Sequence, residues 1–395
     1  AQFFLFIPED EELRKEFNAA VGLSEVFASS SVGIVTGRDG LTLHFTPNEA
    51  AQMAKDFVIM SAEKARQHFE LGVDSRDWKV PLAQADLRAQ PTREQDCVQI
   101  MYRPFDARYT FYSGKSRGFH CMPRSENMGH MLRIRNLGLI TARSNKSQQP
   151  DHFFCTRFIS EAKCGESTTQ SCLFPLRLSE EAGGLVLGGG IHHAFRQEFL
   201  RRVCESLLLE SDTLTGLPNG ITPEDIFHYA YAVFYSPRYR SRYAECLKID
   251  FPRLPLTVNL ELFRALARLG SELVTLHLLE SPKLGCPITE FLGGHDPEVE
   301  KVSWSNSTVW LDKAQTTGFE GVREEVWKFH IGGYQVCEKW LKDRKGRTLS
   351  KDDIAHYQKI IVALSETIRL MAEIDKVIES HGGWPGAFIT EARGE

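Results

Sequence analysis

The feature that most constrains this chain is a change of pattern on either side of residues 179–190, a stretch with five glycines. Before it, short runs of β-branched and aromatic residues recur between turn residues, the signature of hairpins. After it, apolar residues repeat at three- and four-residue spacing, the signature of helices. The expected fold class is therefore α+β: a hairpin-rich mixed α/β domain followed by a mainly helical C-terminal part. The expected units are a mixed region over 1–178, a glycine-rich linker over 179–190, a helical and mixed region over 191–325, and a strand with C-terminal helices over 326–395.

Individual elements follow from local chemistry. Val32–Thr36 and Leu41–Phe45 read as a hairpin around Gly37-Arg38-Asp39-Gly40. Thr46-Pro47 opens a helix expected to run to about Leu71. Val98–Arg103 with Arg108–Tyr112, and Leu137–Thr141 with His152–Cys155, read as two further hairpins. Thr222-Pro223-Glu224-Asp225 is a capped helix start. Tyr239, Tyr243 and Leu247 are expected to stack inward from a helix opened by Ser236-Pro237. Val326–Ile331 alternates as a strand. From Ser350 onward, Ile354, Tyr357, Ile361, Leu364, Ile368 and Met371 step by three and four, a heptad seam on one long helix. That helix could be a spacer, an intermolecular coiled coil or, the favoured reading, a helix docked on its own domain. Gln2–Ile7 reads as a buried strand without a leader, as in a piece of a longer chain or one that has lost an initiator Met.

Charge is segregated. The 395 residues carry a net charge of -5, yet residues 101–146 hold Arg103, Arg108, Lys115, Arg117, Arg124, Arg133, Arg135, Arg143 and Lys146 against Asp106 and Glu126. Such a block is expected of a phosphate-binding face. Arg103, Arg108, Lys115, Arg117 and Arg124 are the candidate DNA-backbone contacts. The loop 142–151 carries Arg143, Asn145, Lys146, Gln148 and Gln149, side chains suited to guanine and adenine edges, and these are the candidate base readers.

Enzyme signatures fail. Gly114-Lys115-Ser116 lacks the glycine five residues earlier that a phosphate loop needs, since Tyr109 stands there. Gly188-Gly189-Gly190 does not complete a dinucleotide fingerprint, and no carboxylate stands two before Lys301 to make a nuclease of the Asp296–Lys301 run. Nine cysteines occur without a C-x-x-C pair, which points away from zinc and toward a reducing cytoplasm. His120 and His330 are expected to pack or hydrogen-bond rather than catalyse. No catalytic or metal-binding residue and no membrane segment is expected.

Several stretches, in order, resemble the C-terminal specificity region of single-chain type ISP restriction–modification enzymes and related N6-adenine DNA methyltransferases. They include Tyr102–Tyr109, Gly114–His120 with Met122–Glu126, Asp225–Tyr229, Ser236–Arg240, Lys248–Arg253, Phe329–Tyr334, Glu338–Arg344, Gly346-Arg347 and His356-Tyr357. The resemblance implies target recognition on double-stranded DNA. It also implies methylase and nuclease/helicase domains of a parent polypeptide as partners, with S-adenosylmethionine bound by the parent's methylase. This chain shows neither the glycine-rich cofactor loop nor an Asn-Pro-Pro-Tyr motif. No cofactor and no catalytic residue is therefore assigned to it. The alternative is a protein-interaction module that docks on the methylase or motor without reading DNA.

Overall fold

A computed structural model describes residues 10–145, 150–180 and 190–388. The architecture is mixed α+β, with several small antiparallel sheets and one long C-terminal helix. The hairpin Val98–Arg103/Asp106–Thr110 forms as the turn residues dictate, and Ile159–Ser160 adds a parallel third strand to it. Gly138–Ala142 pairs with Phe153–Thr156, as the third expected hairpin requires. Ser171–Pro175 pairs on the other side of Gly138–Ala142, and Ser31–Val32 closes the sheet.

Three expectations are corrected. No hairpin spans 32–45: a short helix, Asp39–Thr42, replaces its second strand. Thr42 donates its hydroxyl to the Arg38 carbonyl 3.0 Å away, and Leu41 and Thr42 are both buried, so the alternation there was not a strand's. The helix from Pro47 stops at Ile59, and a second, Ala62–His68, starts on the cap of Ser61. Glu324–Trp327 is helical, leaving only His330–Ile331 extended in that region. A four-stranded antiparallel sheet lay unread in the sequence: Ser303–Ser305, Thr308–Trp310 and Gly318–Glu320 form a meander, and Glu290–Leu292 pairs with the outer side of Gly318–Glu320.

The main hydrophobic core runs from Phe17 to Phe388, so residues on both sides of the glycine-rich stretch share it. Helices Pro223–Tyr235 and Leu260–His277 pack at its centre. Gly270 permits their close approach, since a Cβ there would lie 1.8 Å from the His228 carbonyl oxygen. The tyrosine hydroxyls of this core are satisfied: Tyr229 donates to Pro255, Tyr235 to Phe153 and Tyr239 to Arg253, at 2.6–2.8 Å. The long helix Lys351–Ser380 docks on the same core. Its buried face is broader than a heptad seam, with Ile360, Ile361, Ala363 and Leu364 all covered and Ile354, Ile368 and Met371 only half-buried. A second, smaller core packs Leu41, Phe57, Trp78, Leu87, Phe111, Phe119 and Cys121. No described helix is long and apolar enough to cross a membrane.

Candidate nucleic-acid interface

The basic block divides into two halves with opposite surroundings. Arg103 and Arg108 are 8% and 9% exposed. Arg103 donates to Glu161 at 2.8 Å, and Arg108 to Asp106 at 3.0 Å. Arg344 reaches the other oxygen of Asp106 at 2.9 Å. Burial opposes the charge of Asp106, but Arg344 and Arg108 more than offset that and hold its carboxyl below the usual range. These cations alternate with rings. Arg103 lies between Tyr102 and Tyr334, Arg108 between Tyr102 and Phe45, and Arg344 between Phe45 and Trp340. His356 stacks on the far face of that region against Trp340. The stack ties the 98–110 hairpin to the C-terminal part. Arg103 and Arg108 are thereby committed to internal partners and are removed from the candidate DNA-backbone set.

The exposed half is built on the small core. Asp86, buried on the helix Val80–Arg88, accepts from the Ser113 hydroxyl at 2.8 Å and from the Phe119 amide at 2.7 Å. Gly118 lies against the same carboxylate, where a Cβ would come within 2.2 Å of it. Trp78 donates its ring N–H to the Phe119 carbonyl at 3.1 Å, and the Tyr112 hydroxyl donates to Pro123 at 2.9 Å. His120 is buried, within hydrogen-bonding distance of Thr110 (3.0 Å), and burial pushes its pKa down to about 4. The loop 113–124 is thus held rigidly from below while Lys115, Ser116 and Arg117 face solvent.

Arg117 and Arg124 both stand in the left-handed region, at φ 56° and 57°. Non-glycine residues seldom adopt it, and such strain gathers at functional positions. Both line a cleft of about 440 Å³ together with Arg76, Asp77, Gly114, Ser116 and the start of the helix Ser125–Leu132. Arg76 is 85% exposed and Arg117 60%. Asp77 is the acid between them, 2.7 Å from Arg76 and 3.4 Å from Arg117. Sequence reasoning missed Arg76, which lies outside the 101–146 block; its signal was a charged turn, Ser75-Arg76-Asp77, leading into the helix that opens at Val80-Pro81.

Of the candidate base readers, Arg143 is exposed one residue beyond the strand Gly138–Ala142. Asn145 is only 4% exposed, and its backbone N–H donates to the Leu247 carbonyl at 3.0 Å, which ties the start of the loop to the helical part. Lys146, Gln148 and Gln149 lie outside the described residues. His330 is exposed with Nδ1 2.7 Å from the Lys328 carbonyl. Among the described residues no group of three or more His, Cys, Asp or Glu could hold a metal ion.

The architecture is that of specificity domains in solved restriction–modification enzymes. It resembles the ATP-dependent Type ISP restriction-modification enzyme LlaBIII bound to DNA, at TM-score 0.64 and 15% identity over 91% of this chain and 24% of that one. It also resembles a nuclease-deletion mutant of the Type ISP enzyme LlaGI in complex with a DNA substrate mimic, at 0.61 and 18%, over 90% and 29%. A DrdV–DNA complex gives 0.64 and 20%, over 91% and 37%. This chain therefore spans 24–37% of the length of these relatives. No curated protein matches it. The family model of the Type ISP C-terminal specificity domain matches residues 25–373, and the chain belongs to that family.

Proposed function

We propose that this chain reads a specific duplex DNA sequence for a cytoplasmic restriction–modification enzyme, and that the enzyme methylates adenine at N6 with S-adenosylmethionine bound elsewhere in the parent polypeptide. The observation that carries the reading is the cleft where Arg117 and Arg124, on the loop that Asp86 fixes, meet Arg76 from the segment before the helix Val80–Arg88. Guanidinium groups exposed on a rigid loop suit backbone phosphates, which position a protein on the duplex without reading it. With Lys115 beside them, four cations are available to the backbone. Arg143, exposed one residue beyond the strand Gly138–Ala142, would donate two hydrogen bonds to one guanine. The relatives' DNA complexes support the same reading by fold.

The test is an electrophoretic shift of the purified chain on duplex DNA between low and moderate salt. Four neutralised phosphates give a slope of log K against log salt of about -3 to -4. A flat response, or no binding at low salt, rejects the cleft as a DNA surface. Arg143→Ala is expected to relax preference at one base pair in selected sequences, and Lys115→Ala to weaken all sequences alike.

A further inference from the structure

A second concave surface sits beside the arginine cleft on the same small core, and it is built differently. It holds about 510 Å³ and is lined by Glu63, Arg66, Gln67, Gly72, Val73 and Asp74. Val73 is 85% exposed, yet the loop that carries it is tightly tied. Glu70 and Gly72 both take positive φ. The Arg38 guanidinium donates to the carbonyls of Leu71 and Val73, at 2.9 and 3.2 Å, and stacks over Trp78. Asp74 accepts from Arg66 at 2.7 Å and from the Val80 amide at 3.2 Å. The loop therefore holds a β-branched apolar side chain rigidly in water, next to the exposed Gln67 on the helix Ala62–His68. Trp78, under Arg38, also holds the cleft loop through Phe119. Val73 is three residues from Arg76, so their Cα atoms are at most about 11 Å apart.

We infer that Gln67 and Val73 form a second base-reading site, taking an A·T pair in the major groove, with the Gln67 amide on adenine and the Val73 methyls on the thymine methyl. A carboxamide pairs with the N6 and N7 edge of adenine, and an apolar side chain packs on the C5 methyl. The cleft arginines supply the backbone anchor that brings this edge into reach. The assignment rests on the DNA-recognition reading above.

The experiment is selection of binding duplexes from a randomised 30-base-pair pool with the full chain, repeated for Val73→Ala and Gln67→Ala. The wild-type pool is expected to fix an A·T pair, and replacing its thymine by deoxyuridine is expected to weaken binding about five- to tenfold, the lower part of the range for one base contact. Val73→Ala removes the thymine–uracil difference, and Gln67→Ala loses the preference for that adenine. Ile59→Ala, at a similarly bare apolar residue, 79% exposed at the end of the helix Pro47–Ile59, changes neither. Variants that keep the wild-type selected sequence and the thymine–uracil ratio overturn the inference while leaving DNA recognition standing. Absence of duplex binding by the wild type, together with unaltered folding by circular dichroism, overturns both.

Discussion

Arg103 and Arg108 stand in one basic block with Arg117 and Arg124, but the fold treats the two pairs in opposite ways. The first pair is buried, each guanidinium set against a carboxylate and between rings. The second lines an open cleft on a strained, rigid loop. A buried cation must be matched by its own protein, because leaving water is costly. An exposed cation on a preorganised loop remains available to an external anion. Position in the fold, not local charge density, separates arginines paired inside the protein from those that line an open cleft.

The sharpest way to break this comparison is to remove the shared acid of the buried half. Asp106→Ala leaves Arg108 and Arg344 without their carboxylate in a nearly dry site, and a loss of about 3–5 kcal/mol in unfolding free energy is expected. Urea unfolding measures it. A loss below 1 kcal/mol would return Arg108 to the set of available cations. Arg117→Ala, by contrast, should leave stability within about 0.5 kcal/mol.

Acid extends the test to buried imidazoles. Burial pushes His120 and His152 down to about 4 and His277 to about 3. Their folded values lie below the unfolded one, so the unfolded chain binds more protons in between. Stability is then complete above about pH 6.5 and falls as pH drops toward 4. At pH 5.5 each histidine is expected to cost roughly 1.4 kcal/mol. Urea midpoints at pH 7.5 and 5.5 check the sign, and equal midpoints contradict it.

The hairpins at 98–110 and 138–156 were legible because turn chemistry and alternation are local. The roles of Arg103 and Arg108 were not, because their partners come from far away: Glu161 is 58 residues from Arg103, and Arg344 is 238 from Asp106. The motif stretches around Tyr102–Tyr109 and Glu338–Arg344 showed in sequence only as a resemblance; in space they are two sides of one cation–aromatic stack. Likewise the long helix shows three-four spacing, but its burial on a wide core could not be read from spacing alone. The exposure of Lys115 and Arg117 was legible because a polar stretch between Gly114 and Gly118 resists burial. Arg76 was not, since its sequence neighbourhood is not basic.

On the exposed side, Arg117→Ala is expected to weaken duplex binding severalfold at low salt and to lower the salt slope by about one. The smallest effect, and the most discriminating, concerns Asp77. Its carboxylate contacts Arg76 and Arg117, and those cations hold it below the usual carboxylate range, the Arg76 hydrogen bond foremost. If these ion pairs existed for the fold, removing the acid would weaken it. If the arginines serve a phosphate, Asp77 competes with that phosphate for both guanidinium groups. Asp77→Asn keeps the size of the side chain and removes the competing charge. Surface pairs of this kind add little to stability, so the melting curve should not move. Duplex affinity at low salt should rise by about two- to fivefold, because each phosphate contact then forms without first displacing an internal anion. Titration of wild type and variant on one duplex at several salt concentrations decides it. A loss of affinity in Asp77→Asn would mean that the acid orients the arginines for DNA, whereas a lower melting temperature with unchanged affinity would place the exposed half of the block with the buried half, as structure.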